Sequence, residues 1–316
     1  FVDFTSPTAN SERAGNTDYR INHLLMSWKD FVVQVRSLPT TNASMKTLHE
    51  QGGFAITHLG RITDKAGGTF LASEIEDLLE GLRFFFSFVR GAWVSAVLPV
   101  GFDQNGIRVW EYWNSPNGEP YADVHSWFDP TRAYYLENLF PAFMNFWTDA
   151  NWKPAIREAI YWYLNSNYSP RGIDAGLILT QTAIERLCFA YTVENGRFLS
   201  RDGFQRLSVA DRLRVLYASL GIPQDLPASP SELRRLAGKH NWADAPQALM
   251  EMRNAQVHPQ EKRRGQFDKA LYEAWNLGLW YVEMVLLRLF GHNGTYVNRL
   301  PPPMRFAWVQ PVPWKA

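Results

Sequence analysis

The pattern of apolar and polar positions changes along the chain, from the alternation typical of strands to the three-and-four spacing typical of helices. Alternation with turn residues at its ends predicts strands at residues 31–35, 53–62, 93–102 and 107–113. The last two are joined by Asp103-Gln104-Asn105-Gly106, and its Asn-Gly pair is typical of a β-hairpin. The first part of the chain is therefore predicted to contain β-structure.

One amphipathic helix is predicted inside this β-containing region. Ser73 and Glu76 have the Ser-x-x-Glu spacing of a capping box, and Leu78, Leu82 and Phe85 follow at helical spacing. The helix should run to about residue 90.

From residue 130 onward the pattern is almost entirely helical. Helices are predicted at residues 131–146, 152–165, 172–193, 208–220, 231–239, 245–257 and 267–290. Six or seven helices with short polar links are typical of a bundle. We predict an α+β chain, with a β-containing region at 1–120 and a helical bundle at 121–316. The proline-rich residues 301–316 are predicted to form an extended strap packed on the bundle through Phe306, Trp308 and Trp314.

The last two predicted helices enclose a small polar constellation. Asp244 is the expected N-cap of the helix at 245–257, and Pro246 fits its first turn. His258 precedes Pro259, whose ring disfavours the α conformation of the residue before it. His258 should therefore lie at the helix end. Gly291 is the expected left-handed terminator of the helix at 267–290.

Composition and charge narrow the classes of function. The 316 residues carry a net charge of +1, so any contact with nucleic acid must come from a local patch. The lone Cys188 excludes a disulfide within the chain and a cysteine zinc site, and a reducing cytoplasm is the simplest expectation. Neither a signal peptide nor a membrane span is evident. Because the first residue is Phe1, we expect a part of a longer protein.

Two sets of residues are open to a functional and a structural interpretation. Trp110, Tyr112, Trp113 and Trp127 could stack on nucleic-acid bases, or they could be cross-strand pairs that cover the neighbouring helix, which we favour. His23, His49 and His58 have no further ligand at metal-binding spacing, so no metal site is predicted.

Known catalytic motifs are scarce. A glycine-rich phosphate loop, His-Glu-x-x-His and Gly-x-Ser-x-Gly are all missing from the sequence. What remains is Arg253-Asn254-Ala255-Gln256-Val257-His258, an Arg-x4-His motif. Arg235 and His240 have the same spacing, but there Leu236 follows the arginine and Gly238 interrupts the segment.

The context of Arg253 resembles the HEPN superfamily of helical bundles. The resemblance extends to Ile184-Glu185-Arg186-Leu187, to residues 272–283 and to residues 287–299, which are similar to the HEPN region of ApeA-like proteins. It covers residues 172–300. It implies a metal-independent endoribonuclease of bacterial anti-phage defence or of a toxin-like system, with Arg253, Asn254 and His258 as catalytic residues and without a cofactor.

The resemblance also implies partners. RNA would be the substrate, and because no second Arg-x4-His helix of equal quality is present, a two-motif cleft would require a homodimer. The N-terminal region would be a sensor, and an antitoxin or sensor protein could bind.

The chemistry of the three residues fits RNA cleavage. Imidazole exchanges protons near neutral pH, so His258 could act as general acid or base. Arg253 offers a planar fork for phosphate oxygens, and Asn254 could hold the ring or a substrate oxygen.

Other interpretations stay open at this point. A bundle that binds RNA or nucleotides without catalysis and a partner-binding protein are the alternatives. Arg253 could also be a surface residue paired with Glu251 or Glu261. Glu185 and Glu251 are nearby acidic candidates.

Overall fold

The computed structural model describes residues 23–113, 118–168, 172–229, 231–258, 267–301 and 309–314. Two compact units divide the chain. The N-terminal unit comprises Phe1–Val124 and Phe128–Thr148, and the C-terminal unit comprises His125–Trp127 and Asp149–Ala316. The described residues are mostly helical with small antiparallel sheets, in agreement with the predicted mixed class.

The N-terminal unit contains a three-stranded antiparallel sheet. Its strands are β1 (His23–Trp28), β2 (Phe31–Ser37) and β3 (His58–Asp64), in the order β1-β2-β3. Leu24 and Met26 of β1 pair with Val35 and Val33 of β2, and all four are buried. Because side chains alternate between the two faces of a strand, these four form one apolar face.

Two predictions in this region need correction. Of the stretch predicted as strand at 53–62, only residues 58–62 belong to β3, which continues to Asp64. Helix α1 (Thr41–Gln51) was not predicted, because Leu48 is its only buried apolar residue and the segment therefore lacks an amphipathic stripe.

An aromatic core holds two helices of the N-terminal unit together. Helix α2 (Glu76–Arg90) packs on α3 (Tyr134–Thr148), where Phe85 meets Phe140 and Phe143 with ring centroids 5.2 and 5.3 Å apart. Helix α3 also packs on β1, and the Glu137 carboxylate accepts the Leu25 N–H at 3.3 Å. The predicted bundle at 121–316 included this helix, whereas it belongs to the N-terminal unit.

The start of α2 differs from its prediction. Residues Ala72–Ile75 form a 3₁₀ turn before the helix, and the Glu74 carboxylate accepts the Leu71 N–H at 2.6 Å. Ser73 and Glu76 therefore do not form the predicted capping box, since α2 has no side-chain N-cap.

The predicted hairpin is present but shorter. Strands β4 (Val100–Phe102) and β5 (Arg108–Glu111) pair through a turn in which Gly106 has a φ of 77°. The Asp103 carboxylate accepts the Asn105 and Ile107 N–H groups at 2.9 and 2.8 Å. This turn is why the pairing begins at Phe102 and Arg108.

The C-terminal unit is a helical bundle with a short hairpin. Its helices are α4 (Lys153–Asn167), α5 (Ile173–Phe189), α6 (Arg201–Arg206), α7 (Val209–Leu220), α8 (Ser231–His240), α9 (Ala245–Val257) and α10 (Asp268–Leu289). Five of the predicted helices agree with α4, α7, α8, α9 and α10 to within two residues at each end. The predicted helix at 172–193 is α5 followed by a π-helical turn at Ala190–Asn195. Helix α6, a six-residue helix capped by Ser200, was not predicted.

Helix α10 lies at the centre of the bundle, against α5. Two glycines permit the approach: a methyl group at Gly278 would collide with the Thr180 side chain, and one at Gly176 would lie 2.7 Å from the Trp275 indole nitrogen. Fifteen of the residues of α10 are buried. None of the described helices is both long enough and apolar enough to span a membrane.

The chain after α10 is anchored to the bundle. Gly291 ends the helix with a φ of 72°, as predicted. Strand β6 (Thr295–Val297) pairs antiparallel with β7 (Val309–Pro311), and the Trp314 indole N–H donates to the His292 carbonyl at 2.8 Å. The predicted contacts of Phe306 and Trp308 lie outside the described residues.

A buried polar cluster, here called the Glu283 cluster, ties this segment to α4 and α10. Arg299 donates Nε and Nη2 to the two Glu283 oxygens at 3.1 and 2.7 Å, and Nη1 to Asn167 Oδ1 at 3.2 Å. Arg299 Nη2 also reaches the His125 carbonyl at 2.9 Å, and the Tyr163 hydroxyl donates to Glu283 at 2.6 Å. Burial raises the pKa of Glu283, and Arg299 opposes that rise.

Candidate active site

Helix α9 presents the predicted site residues, and it is fixed at its first turn. The Asp244 carboxylate accepts the Gln247 N–H at 2.9 Å, so the predicted N-cap is confirmed. Arg214 of α7 donates to the same carboxylate through Nε and Nη2 at 2.6 and 3.0 Å. The start of α9 is therefore held to α7 by a bidentate ion pair.

Helix α9 is also fixed to α5 one turn before the motif. The buried Gln181 amide of α5 donates to the carbonyl of Leu249, whose side chain is in the core. Leu249 precedes Arg253 by four residues. The position of Arg253 relative to α5 is thus set by a backbone contact of its own helix.

The three motif residues lie at the last turn of α9. Arg253 and Asn254 are half-buried, and Arg253 Nη1 donates to Asn254 Oδ1 at 3.4 Å. His258 is exposed and extended, with φ −110° and ψ 97°, and its N–H donates to the Asn254 carbonyl at 2.9 Å. The helix therefore ends at His258 as predicted. Pro259 lies outside the described residues.

The three motif residues differ in how closely their side chains approach one another. The Arg253 and Asn254 side chains are in contact, and His258 is joined to Asn254 through the backbone. Among the described residues, the imidazole of His258 has no hydrogen-bond partner, and Arg253 makes no ion pair within 4 Å. The alternative in which Arg253 pairs with Glu251 is thus not seen, and Glu261 lies outside the described range.

A carboxylate and a second arginine adjoin the motif. Glu185 of α5 is half-buried, and Arg212 of α7 lies 3.6 Å from it. Burial raises the pKa of Glu185, while the charges of Arg212 and then Arg253 oppose that rise. Glu185 was named from the sequence only as a nearby acid. Arg212 was missed, because nothing in the sequence pairs it with a residue of a helix 27 positions earlier.

Two family models match the chain. The YopA C-terminal domain matches residues 149–311, just over half of the chain, and the YopA central domain matches residues 2–124. The chain belongs to the YopA family. Its two matched ranges lie on either side of the division between the two structural units.

One curated relative extends the comparison. The SPbeta prophage-derived uncharacterized protein YopA of Bacillus subtilis (strain 168) is 28% identical over 274 residues, which is 85% of this chain and 60% of the relative. The chain thus spans about 60% of the length of the YopA protein that it matches. No solved structure matches the chain.

The second Arg-x4-His match in this YopA-family chain has a different environment. Arg235 pairs with Glu232 of its own helix, Nε to Oε2 at 3.0 Å. The His240 ring stacks on Trp242 at 5.6 Å between centroids, with Phe267 edge-on at 5.5 Å. This arginine and this histidine therefore have separate partners, whereas Arg253 and His258 share Asn254.

Cys188 is a core residue. Its side chain is fully buried and its thiol lies 3.2 Å from the Arg212 carbonyl. Burial raises the pKa of the thiol to about 12, so it is unsuited to act as a nucleophile. Among the described residues, no three His, Cys, Asp or Glu side chains are placed to hold a metal ion.

The four aromatic residues considered for stacking separate in the structure. Trp127 is buried, and Trp110 lies over Gly101 of the paired strand with its Cβ 3.3 Å from where a methyl group would be. Trp110 and Tyr112 are stacked at 6.3 Å, whereas Tyr112 and Trp113 are exposed. Core packing and cross-strand cover account for Trp127 and Trp110 but not for Trp113.

Proposed function

We propose that this chain is a HEPN-type, metal-independent endoribonuclease in which His258 exchanges protons and Arg253 stabilises charge on the phosphate. The observation that supports this most is the unequal burial of the motif. Arg253 is half-buried beside Asn254 and in the field of Glu185, while the imidazole of His258 is exposed at the end of the same helix. Both side chains are at least partly open to solvent, as binding of a phosphate would require.

The reaction would be an internal transfer within RNA. His258 removes the proton of a ribose 2′-hydroxyl, and the 2′-oxygen attacks the adjacent phosphorus. The bond from phosphorus to the 5′-oxygen breaks, and a protonated imidazole gives that oxygen a proton. The products are a 2′,3′-cyclic phosphate and a 5′-hydroxyl, and Arg253 would bind the phosphoryl oxygens on which charge builds.

This chemistry needs a base and an acid, which favours a homodimer. The Arg253-to-His258 motif supplies one histidine, which is exposed, so a second copy of the chain would supply the other. The His258 side chains of two copies would then act as base and acid. Glu185 would position Arg253 by its charge, since it is the carboxylate whose pKa responds to Arg253.

The family relationship suggests a setting. The curated relative is described as prophage-derived, and a ribonuclease of a prophage would suit a toxin-like or anti-phage role in the cytoplasm. The N-terminal unit, with its small sheet and hairpin, would then be a sensor or the docking part for an antitoxin.

The test measures the rate of cleavage of single-stranded RNA, with a chelator present, by purified wild-type, His258→Ala and Arg253→Ala proteins. We expect each variant to lose about 100-fold or more of the cleavage rate, because positioned acid–base groups contribute that much. His49→Ala, an exposed histidine in the N-terminal unit, is the matched control and should cleave like wild type. Product ends should be 2′,3′-cyclic phosphates.

Two outcomes would contradict the proposal. Equal cleavage by all four proteins would assign the activity to a contaminant or to another site. Binding of RNA by both wild type and His258→Ala, with no cleaved product from either protein, would instead indicate the non-catalytic RNA-binding scaffold.

A further inference from the structure

Helix α8 has an exposed cationic face that the proposed site does not use. Its apolar side, Leu233, Leu236 and Ala237, packs into the bundle. The opposite side presents Arg234, Arg235, Gly238 and Lys239, all exposed. Because residues three and four apart share a helix face, these four form one continuous strip.

The charges on this strip are only partly accounted for by the fold. Glu232 pairs with Arg235 at 3.0 Å, but within the described part of the chain Arg234 and Lys239 make no ion pair. The helix dipole favours Lys239 in the last turn, and it does not account for an arginine in the first half of the helix. The strip therefore has cationic groups that remain available to an anionic partner.

Gly238 in the middle of the strip is not required by the fold. Its φ is not positive, and a methyl group added there would meet no other atom within 4 Å. A glycine inside a helix is destabilising relative to other residues. Its effect here is to leave open backbone between Arg234 and Lys239, as a site of close approach by a ligand requires.

A ring platform continues the strip at the end of α8. His240 stacks on Trp242 at 5.6 Å with 21° between the rings, and Phe267 packs edge-on against both. His240 is exposed. Phe267 is nine residues beyond His258, so an extended chain limits their separation to about 32 Å.

We propose that this face of α8 binds the sugar-phosphate backbone of single-stranded RNA, with His240 on Trp242 stacking one base, and guides the strand to Arg253 and His258. Sequence-tolerant single-strand binders combine cationic groups that follow the backbone with aromatic rings on which bases stack. The choice of RNA as ligand rests on the proposed function. The binding face itself is independent of catalysis.

The test measures binding in a background that cannot cleave. His258→Ala protein is titrated into a fluorescein-labelled oligouridine of about 20 nucleotides, and anisotropy is followed between about 50 and 200 mM salt. Adding Arg234→Glu with Lys239→Glu should weaken binding about ten-fold or more, and should reduce the slope of log K against log salt by about 1.4, since two phosphate contacts are lost. Lys46→Glu with Arg61→Glu, the same change of charge in the N-terminal unit, should leave affinity within about two-fold.

Gly238→Gln separates binding from folding. Glutamine is a good helix former, so the thermal midpoint should rise by about 1–3 °C while RNA affinity falls. A purely structural role for this helix predicts that affinity would not fall.

Binding that stays within about two-fold of the parent in Arg234→Glu with Lys239→Glu would overturn the inference, and so would unchanged affinity in Gly238→Gln. Duplex RNA bound as tightly as the oligouridine would reject the stacking step. If wild type fails to cleave RNA but the pattern of affinities holds, the binding face stands and only the proposed catalysis falls.

Discussion

Two arginines of the C-terminal unit show how differently the same side chain can be used. Arg299 is buried, and Nε, Nη1 and Nη2 each donate to an acceptor in the Glu283 cluster. Arg253 is half-buried, and its one hydrogen bond among the described residues is the 3.4 Å contact with Asn254. Each guanidinium nitrogen of Arg299 therefore donates a hydrogen bond inside the protein, whereas among the described residues only Nη1 of Arg253 does.

The difference teaches which polar residues to examine for chemistry. A buried guanidinium must have acceptors, because a buried charge without them is costly. A half-buried guanidinium has no such need, since solvent can hydrate its remaining donors. Removal of each arginine should therefore affect different properties.

Arg299→Met should have the largest effect on stability. It leaves Glu283 as an uncompensated buried carboxylate, and removal of one partner of such a pair costs about 3–5 kcal/mol. Arg253→Met, the matched change at the half-buried arginine, should cost less than about 1 kcal/mol. Urea denaturation of the two variants and wild type measures both.

A cost for Arg299→Met as small as that for Arg253→Met would break the comparison. It would mean that water enters the Glu283 cluster and solvates the remaining carboxylate.

A smaller effect is expected from Tyr163→Phe. The Tyr163 hydroxyl donates to Glu283 at 2.6 Å, and the loss of a buried hydrogen bond to a charged group costs about 2 kcal/mol. Tyr217→Phe is the control, because Tyr217 is also fully buried and its hydroxyl has no partner among the described residues. That variant should be neutral or slightly stabilised in thermal or urea unfolding. Equal destabilisation of the two would show that the Tyr163 hydrogen bond is not what the cluster depends on.

Local signals in the sequence were enough to predict the two ends of α9, the helix that carries the motif residues. Asp244 as N-cap, His258 as the terminal residue and Gly291 as the terminator of α10 are each set by chemistry within a few residues. Helix α1 was missed because a segment with one buried apolar residue has no periodicity to detect.

The Glu283 cluster could not be predicted in the same way. Its partners lie 120 and 132 residues apart along the chain, and neither Tyr163 nor Asn167 stands out from its neighbours. The ion pairs of Glu185 and Asp244 with α7 have the same origin, since they depend on how helices pack. Tertiary contacts decide which arginine has all its donors hydrogen-bonded inside the protein, and the sequence pattern does not predict those contacts.

The smallest predicted effect concerns how Arg253 acts on Glu185. Burial raises the pKa of Glu185 and Arg253 opposes that rise, so Arg253→Met should raise the pKa further. A carboxyl group whose pKa is raised in the folded state stabilises the protein at pH values below its pKa in the unfolded state, about 4.3. That stabilisation is lost as the pH rises through its pKa in the folded state. The cost of Arg253→Met in unfolding free energy should therefore be near zero at about pH 4 and grow to about 0.5 kcal/mol by pH 7.

Repeating this pH series in a Glu185→Gln background isolates the pair. The growth with pH should vanish there, because glutamine does not titrate, and the difference between the two backgrounds is the coupling free energy. If the growth persists without Glu185, another carboxylate holds Arg253. Glu185 would then be excluded as the residue that positions it, while the contact between Arg253 and Asn254 would still place the guanidinium at the end of α9.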